Sequence, residues 1–118
     1  IRVDNQAFVK NLGKTNFVHL LHMIIWVLYD IENDRARTKV AKVCKQAGLY
    51  RVQFSCFLGT LDAHEKDILE LKVKDLMDES RDKVYIFPMS KQELQSTVLL
   101  GQAFDKKMVT DEVLALFF

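Results

Sequence analysis

Asp30 is the side chain in this sequence whose type and position best fit metal chemistry. It closes the apolar run Met23–Tyr29, whose β-branched and aromatic residues predict a buried strand. Mg²⁺ prefers oxygen ligands and commonly takes one or two carboxylates together with water. One Asp30 per chain is a poor site, so a metal site here requires a two-fold dimer that brings two copies together. The alternative is a strand-end carboxylate that caps the turn to the next element.

A basic segment follows this strand. Between Arg35 and Leu61 there are six basic residues and no acidic one, whereas the whole chain has a formal net charge of +1. A basic surface on a near-neutral protein is a candidate for binding phosphate groups. A solvated helix face would carry the same charges, and the sequence leaves both interpretations open.

The cysteines, the histidine pair and the longest apolar run are weak signals of a functional site or a membrane span. Cys44 and Cys56 lie among apolar neighbours and do not form a CxxC pair, which is typical of reduced core thiols in a cytoplasmic protein. His19 and His22 form an HxxH pair without a third ligand nearby, so we expect no zinc site. The longest apolar run, Phe17–Ile31, is interrupted by polar residues and is too short for a membrane span of about 20 residues.

The elements that would position these residues follow from periodicity and capping signals. Asp34 would cap the second helix and Gly48 would end it, while Asp62 and Glu65 have the spacing of a capping box. The predicted elements are a short helix at 4–12, a strand at Met23–Ile31, a helix at Arg35–Ala47, a strand at Tyr50–Gly59, a helix from Asp62 to about Ser80, and strands at Lys83–Phe87 and Ser96–Gly101.

We predict an α+β fold, a ferredoxin-like split βαββαβ arrangement with an extra C-terminal strand, an antiparallel sheet and both helices on one face. Alternation in Tyr50–Gly59 puts Arg51, Gln53, Ser55 and Phe57 on one side of the strand. We expect that side to be the open sheet face and to pair with a second copy in a homodimer. The apolar end of the chain, including Val113, Leu114, Leu116 and Phe117, should add to a sheet edge of the other subunit or of a partner.

Three segments taken together resemble the CRISPR-associated protein 2 family. Tyr29-Asp30-Ile31 ends the first strand, Gly48–Phe57 reads GLYRVQFSCF, and Val84–Pro88 reads VYIFP, in the order and at the separations of that family. The resemblance covers Met23 to about Gly101. Residues 1–22 would then be an N-terminal extension, which is an upstream extension, the end of a fused partner or a segment added by cloning. Residues 102–118 would be a tail that docks on the dimer or on a partner.

The resemblance implies a cytoplasmic ferredoxin-like dimer that works with the integrase, CRISPR-associated protein 1, to capture foreign DNA and insert it into the repeat array. Such a subunit would bind the backbone of double-stranded DNA and bridge the integrase. Many members of the family are described as magnesium-dependent endonucleases on RNA or DNA, and in some the nuclease activity is dispensable. A nuclease as the main activity, or a VapD-like toxin nuclease, is the alternative.

The resemblance also assigns roles to residues. Asp30 would be catalytic and would hold Mg²⁺ or Mn²⁺ shared between two subunits, with Tyr29 beside it. Phe57 and Ser55 would belong to the dimer interface. This chain has Lys39 at a position where members of the family also have arginine. Lysine keeps the positive charge but lacks the forked guanidinium that binds phosphate through two hydrogen bonds. Arg37, Lys39 and Arg51 match positions that the family associates with substrate handling, and together with Arg35 and Lys42 of the basic segment they are the predicted nucleic-acid-binding residues.

Overall fold

A computed structural model of the 118-residue chain describes residues 22–101. The predicted helix at 4–12 and the predicted terminal strand lie outside this range. The described elements are β1 (Met23–Asp30), α1 (Asp34–Gln46), β2 (Tyr50–Gln53), β3 (Cys56–Leu61), α2 (Ala63–Leu76), β4 (Lys83–Met89) and α3 (Lys91–Ser96).

The four strands form one antiparallel sheet in the order β2-β3-β1-β4. The apolar strand β1 lies inside the sheet, between β3 and β4, which accounts for its nearly continuous burial. Pro88 is accommodated because β4 is an edge strand, where a missing backbone donor is tolerated. The predicted α+β class and the split βαββαβ order are confirmed.

Helices α1 and α2 pack on one face of the sheet, here called the helix-covered face. Its core contains Ile25, Val27 and Tyr29 of β1 together with Val40 of α1 and Leu69 of α2. Alternate residues of each strand point to this face, and their neighbours point to the other. Among residues 22–101, no helix combines the length and the apolarity that crossing a bilayer requires.

Helix boundaries follow their caps. Asn33, not the predicted Asp34, caps α1 by accepting a hydrogen bond from the backbone N–H of Ala36, because Asp34 already has helical geometry. Gly48 follows the helix with φ of +94°, as expected for a glycine that ends a helix. The predicted capping box of Asp62 and Glu65 is present in α2.

The prediction of one strand over Tyr50–Gly59 is wrong, because the segment folds into the β2–β3 hairpin. Phe54 and Ser55 form the turn, and Ser55 has the left-handed φ of +61°. Arg51 of β2 faces Phe57 of β3, and both positions are odd-numbered. Because paired residues point to the same side of a sheet, one alternating pattern fits both strands. Periodicity alone therefore could not reveal the turn.

The predicted strand over Ser96–Gly101 is also wrong, since α3 continues to Ser96 and residues 97–101 join no strand. Ser90 and Glu93 form a capping box that starts this helix, with the Ser90 Oγ accepting from the Glu93 N–H at 3.0 Å. Leu94 is fully buried against the open face. That face, expected to carry no helix, is therefore partly covered by α3.

Candidate functional site

Asp30 lies at the end of β1, with its side chain exposed to solvent. Its Cα partner across the β1–β4 ladder is Lys83, the first residue of β4. The Asp30 carboxylate makes no hydrogen bond or ion pair within residues 22–101. The predicted alternative, a carboxylate that caps the turn to α1, is therefore wrong, since Asn33 has that role.

Within residues 22–101, the carboxylate of Asp30 is the single predicted metal ligand. Among the described residues there is no group of three or more His, Cys, Asp or Glu side chains able to hold a metal ion. A hard cation such as Mg²⁺ fits the chemistry of Asp30, but it requires further oxygen ligands from water, substrate or a second copy. A metal site shared between two subunits stays a prediction.

Tyr29 is the neighbour of Asp30 in the chain but points to the helix-covered face. It is 6% exposed and stacks on Phe57 with ring centroids 6.3 Å apart. Burial raises the pKa of the Tyr29 hydroxyl and Cys44 adds to this, while Arg51 and Arg37 oppose it. Among residues 22–101 the buried hydroxyl has no hydrogen-bond partner in standard geometry, although Arg51 lies near enough to act on its pKa. The structure therefore does not bring Tyr29 and Asp30 together.

Arg37 stabilises the loop between β1 and α1. Its Nη1 donates a hydrogen bond of 3.0 Å to the backbone carbonyl of Ile31, and its Nη2 pairs with the carboxylate of Asp34. These bonds occupy much of the guanidinium. Its contact with the loop after Asp30 gives Arg37 a structural role besides the predicted one.

Arg51 lies at the β2 edge of the sheet. Its guanidinium is 5.4 Å from the ring centroid of Phe54 and 5.5 Å from that of Phe57, in cation–π geometry. The side chain is exposed, and it partly offsets the rise that burial causes in the pKa of Tyr29. Arg51 and Arg37 thus both act on the Tyr29 side of the sheet.

The remaining predicted nucleic-acid-binding residues form a basic stripe on α1, which consists of Arg35, Lys39 and Lys42. Their spacing of four and three residues places them on one helix face. All three are exposed, and they line one shallow depression together with Asp34 and Thr38. The structure therefore divides the five predicted basic residues into the basic stripe and the pair near Tyr29.

Two of the predicted interface residues, Phe57 and Ser55, are not where the sequence placed them. Phe57 has no exposed surface and lies in the core of the helix-covered face, so its predicted place on an open dimer face is wrong. Ser55 is half-buried in the hairpin turn instead of in a strand. Residues 113–117 lie outside the described range. Tyr85 and Phe87 of β4 are exposed aromatic residues on the other face, 59% and 38% exposed.

Sequence reasoning missed Asp82, a buried carboxylate beside this end of β1. Its Oδ1 accepts a hydrogen bond from the Glu32 N–H at 3.1 Å, and its Oδ2 accepts one from the Asp78 N–H at 2.8 Å. Glu32 is separated from Asp82 by 50 positions, so no local pattern reveals the contact. The apolar alternation of β4 around Val84 and Ile86 marks only where the strand begins.

Comparison with known proteins gives a consistent assignment. A family model described as CRISPR associated protein Cas2 matches residues 23–97. The chain is 33% identical over 81 residues to a protein of Archaeoglobus fulgidus named CRISPR-associated endoribonuclease Cas2 1, which covers 69% of this chain and 82% of that protein. The crystal structure of Streptococcus pyogenes Cas2 superposes with a TM-score of 0.60 at 25% identity, covering 67% of this chain and all of that one.

A further relative joins two proteins in one chain. It comes from Thermoproteus tenax and is named CRISPR-associated endonuclease Cas1/endonuclease Cas2 fusion. The identity is 32% over 79 residues, which is 66% of this chain and 30% of that relative. This relative carries a Cas1 part next to the part that is similar to this chain.

Proposed function

The chain belongs to the CRISPR-associated protein Cas2 family, and we propose on this basis that it serves spacer acquisition by binding the backbone of double-stranded DNA and bridging the Cas1 integrase. The observation that carries this proposal is the basic stripe of α1. Its three cations are exposed on one face of a helix that is anchored to the sheet. Such a face fits the regularly spaced phosphates of a duplex without reading its bases.

The stripe suits non-specific backbone binding better than recognition of a small anion. Its depression is shallow and lined by side chains of one helix only. Long lysine and arginine side chains on such a surface exchange condensed counterions for phosphate contacts, which makes binding strongly dependent on salt.

Equilibrium binding of a random-sequence duplex over a range of salt concentrations tests this role. Replacing Arg35, Lys39 and Lys42 together with Gln should weaken binding and reduce the slope of log K against log salt by about 0.9 per lost contact. The matched control replaces Lys66, Lys72 and Lys74 of α2 with Gln and should retain the wild-type slope. Equal effects of the two triple variants would mean that net charge, and not the stripe, determines binding.

The partner in this proposal is the Cas1 integrase. The Thermoproteus tenax fusion carries a Cas1 part beside its Cas2 part, which supports association of the two in this system as well. We assign docking to the apolar terminal residues, including Val113, Leu114, Leu116 and Phe117. Deletion of Val113–Phe118 should abolish co-purification with Cas1 while the melting temperature stays unchanged, and retained co-purification would place the docking surface elsewhere.

A second function is favoured by Asp30. We propose that two copies of Asp30 in a homodimer hold Mg²⁺ or Mn²⁺ and that the metal supports endonuclease activity on RNA or DNA. The Asp30 carboxylate, which is exposed and has no polar partner among residues 22–101, and the endoribonuclease names of the relatives support this. The bound metal would supply an activated water and neutralise phosphate charge. Tyr85 and Phe87 provide exposed aromatic surface for a dimer on that face.

Cleavage of labelled single-stranded RNA, single-stranded DNA and duplex DNA with Mg²⁺ or Mn²⁺ tests this second function. Asp30→Asn keeps the size of the side chain and removes its charge, so it should abolish cleavage without changing dimer mass. Asp75→Asn, at an exposed position of α2, is the control and should remain active. Cleavage that survives in Asp30→Asn would exclude Asp30 as the metal ligand.

A further inference from the structure

The buried carboxylate of Asp82 joins two loops that are distant in sequence. Asp82 is 9% exposed and accepts hydrogen bonds from the N–H groups of Glu32 and Asp78. Its own N–H donates to the Asp78 carbonyl at 2.8 Å. Both carboxylate oxygens are therefore used, and the α2–β4 turn is tied to the loop that follows β1.

These contacts lie directly beyond the last residue pair of the β1–β4 ladder. Asp30 faces Lys83 in that pair, Glu32 follows Asp30 by two positions, and Asp82 immediately precedes Lys83. Strand ends open locally at low cost in free energy, because few contacts hold them. The Asp82–Glu32 bond closes the ladder at the point where it would otherwise open, and the Arg37–Ile31 bond holds the same loop from the α1 side.

We propose that Asp82 is a positioning residue for Asp30, fixing the exposed end of β1 so that the Asp30 carboxylate keeps one orientation toward a bound metal ion. The inference rests on the metal role proposed for Asp30. Groups that hydrogen-bond a metal ligand directly change metal affinity or activity by about 10- to 100-fold when they are mutated, and we expect the lower end of that range for Asp82, which acts on Asp30 through the backbone.

The arrangement requires a carboxylate, because Asp82 meets two N–H donors with two acceptor oxygens. Asparagine has one acceptor oxygen and would direct an NH₂ group at the second donor. Alanine would leave both donors without their partner. Asp82→Asn is thus the milder variant and Asp82→Ala the stronger one. Asp75→Asn is a control with the same change of charge on the neighbouring helix.

Two measurements on the full chain test the proposal. The first is amide hydrogen exchange by NMR without nucleic acid. The backbone amides of Glu32 and of the paired residues Asp30 and Lys83 should exchange about tenfold faster in Asp82→Asn than in the wild type. Amides in the β1–β3 ladder should keep their exchange rates. The second is a Mn²⁺ titration of cleavage. The metal concentration at half-maximal activity should rise about tenfold with KM for nucleic acid unchanged.

Unchanged exchange at Glu32 and Asp30 in Asp82→Asn would overturn the inference, whether or not the protein cleaves nucleic acid. Faster exchange at all strands alike would also overturn it, because Asp82 would then support global stability only. An Asp30→Asn variant that still cleaves would refute the metal role of Asp30, while the exchange rates would still show separately whether Asp82 holds the end of β1. Faster local exchange together with a shifted metal titration supports the inference.

Discussion

Tyr29 and Asp30 are neighbours in the chain, yet their side chains lie on opposite faces of the sheet. Tyr29 stacks on Phe57 beneath the helices, whereas the Asp30 carboxylate is exposed and makes no polar contact within residues 22–101. The alternation of a strand imposes this separation. It follows that Asp30 is available to a metal or a substrate, and that the contribution of Tyr29 within the chain is to the core.

Replacing Tyr29 with Phe should therefore preserve function. Within the described part of the chain the buried Tyr29 hydroxyl has no partner in standard geometry, and removing an unsatisfied polar group should stabilise the fold by about 1 kcal/mol. Urea denaturation measures the stability, and DNA binding and cleavage are assayed in parallel. A destabilised variant would indicate that the hydroxyl bonds the nearby Arg51 in solution, and an inactive but stable one would give Tyr29 a role in the site.

Leu94 should be essential to the fold, although α3 has only six residues. Its side chain has no exposed surface and packs against Ile24, Trp26 and Leu58. Leu94→Ala should lower the free energy of unfolding by about 2–5 kcal/mol. Leu100→Ala, at a position that is 82% exposed, is the matched control and should change it by less than about 0.5 kcal/mol. Similar losses in both variants would show that α3 does not pack on the sheet.

Stability should fall with rising pH because of Cys44. Burial raises the pKa of its thiol from 9.0 to about 12. The unfolded chain therefore releases this proton at lower pH than the folded chain. The contribution of the protonated Cys44 thiol to the free energy of unfolding is complete below pH 9 and is lost as the pH approaches 12. Urea midpoints of the wild type and Cys44→Ala, compared across this range, should converge as the pH rises. Parallel curves would assign the pH dependence to other groups.

Local signals in the sequence were sufficient for several elements. The β-branched and aromatic run predicted β1, and the Asp62–Glu65 spacing predicted the start of α2, since each signal depends on neighbouring residues only. The hairpin was missed because the pairing of Arg51 with Phe57 preserves the alternation across the turn. The segment Ser96–Gly101 was predicted as a strand from its apolar residues alone, and the Ser90–Glu93 capping box that starts α3 was not considered.

The site was predictable only in part. Asp30 could be identified because a carboxylate at the end of an apolar strand is conspicuous, and the basic stripe because its residues are close in sequence. Alternation shows which strand residues share a face, but which face the helices cover depends on how they pack. Phe57 was therefore predicted on the wrong face of the sheet. Asp82 could not be found, because its partner Glu32 is brought to it only by the β1–β4 pairing.

Half-site integration of a duplex into a repeat-containing target by purified Cas1 is the measurement that tests the central proposal most directly. It compares the wild type, the Gln variant of Arg35, Lys39 and Lys42, and Asp30→Asn. We predict that the stripe variant lowers the yield by about tenfold or more, since backbone contacts are lost, while Asp30→Asn supports the wild-type yield. Integration that survives loss of the stripe and fails in a folded Asp30→Asn dimer would contradict the account and make the metal-dependent nuclease the main function.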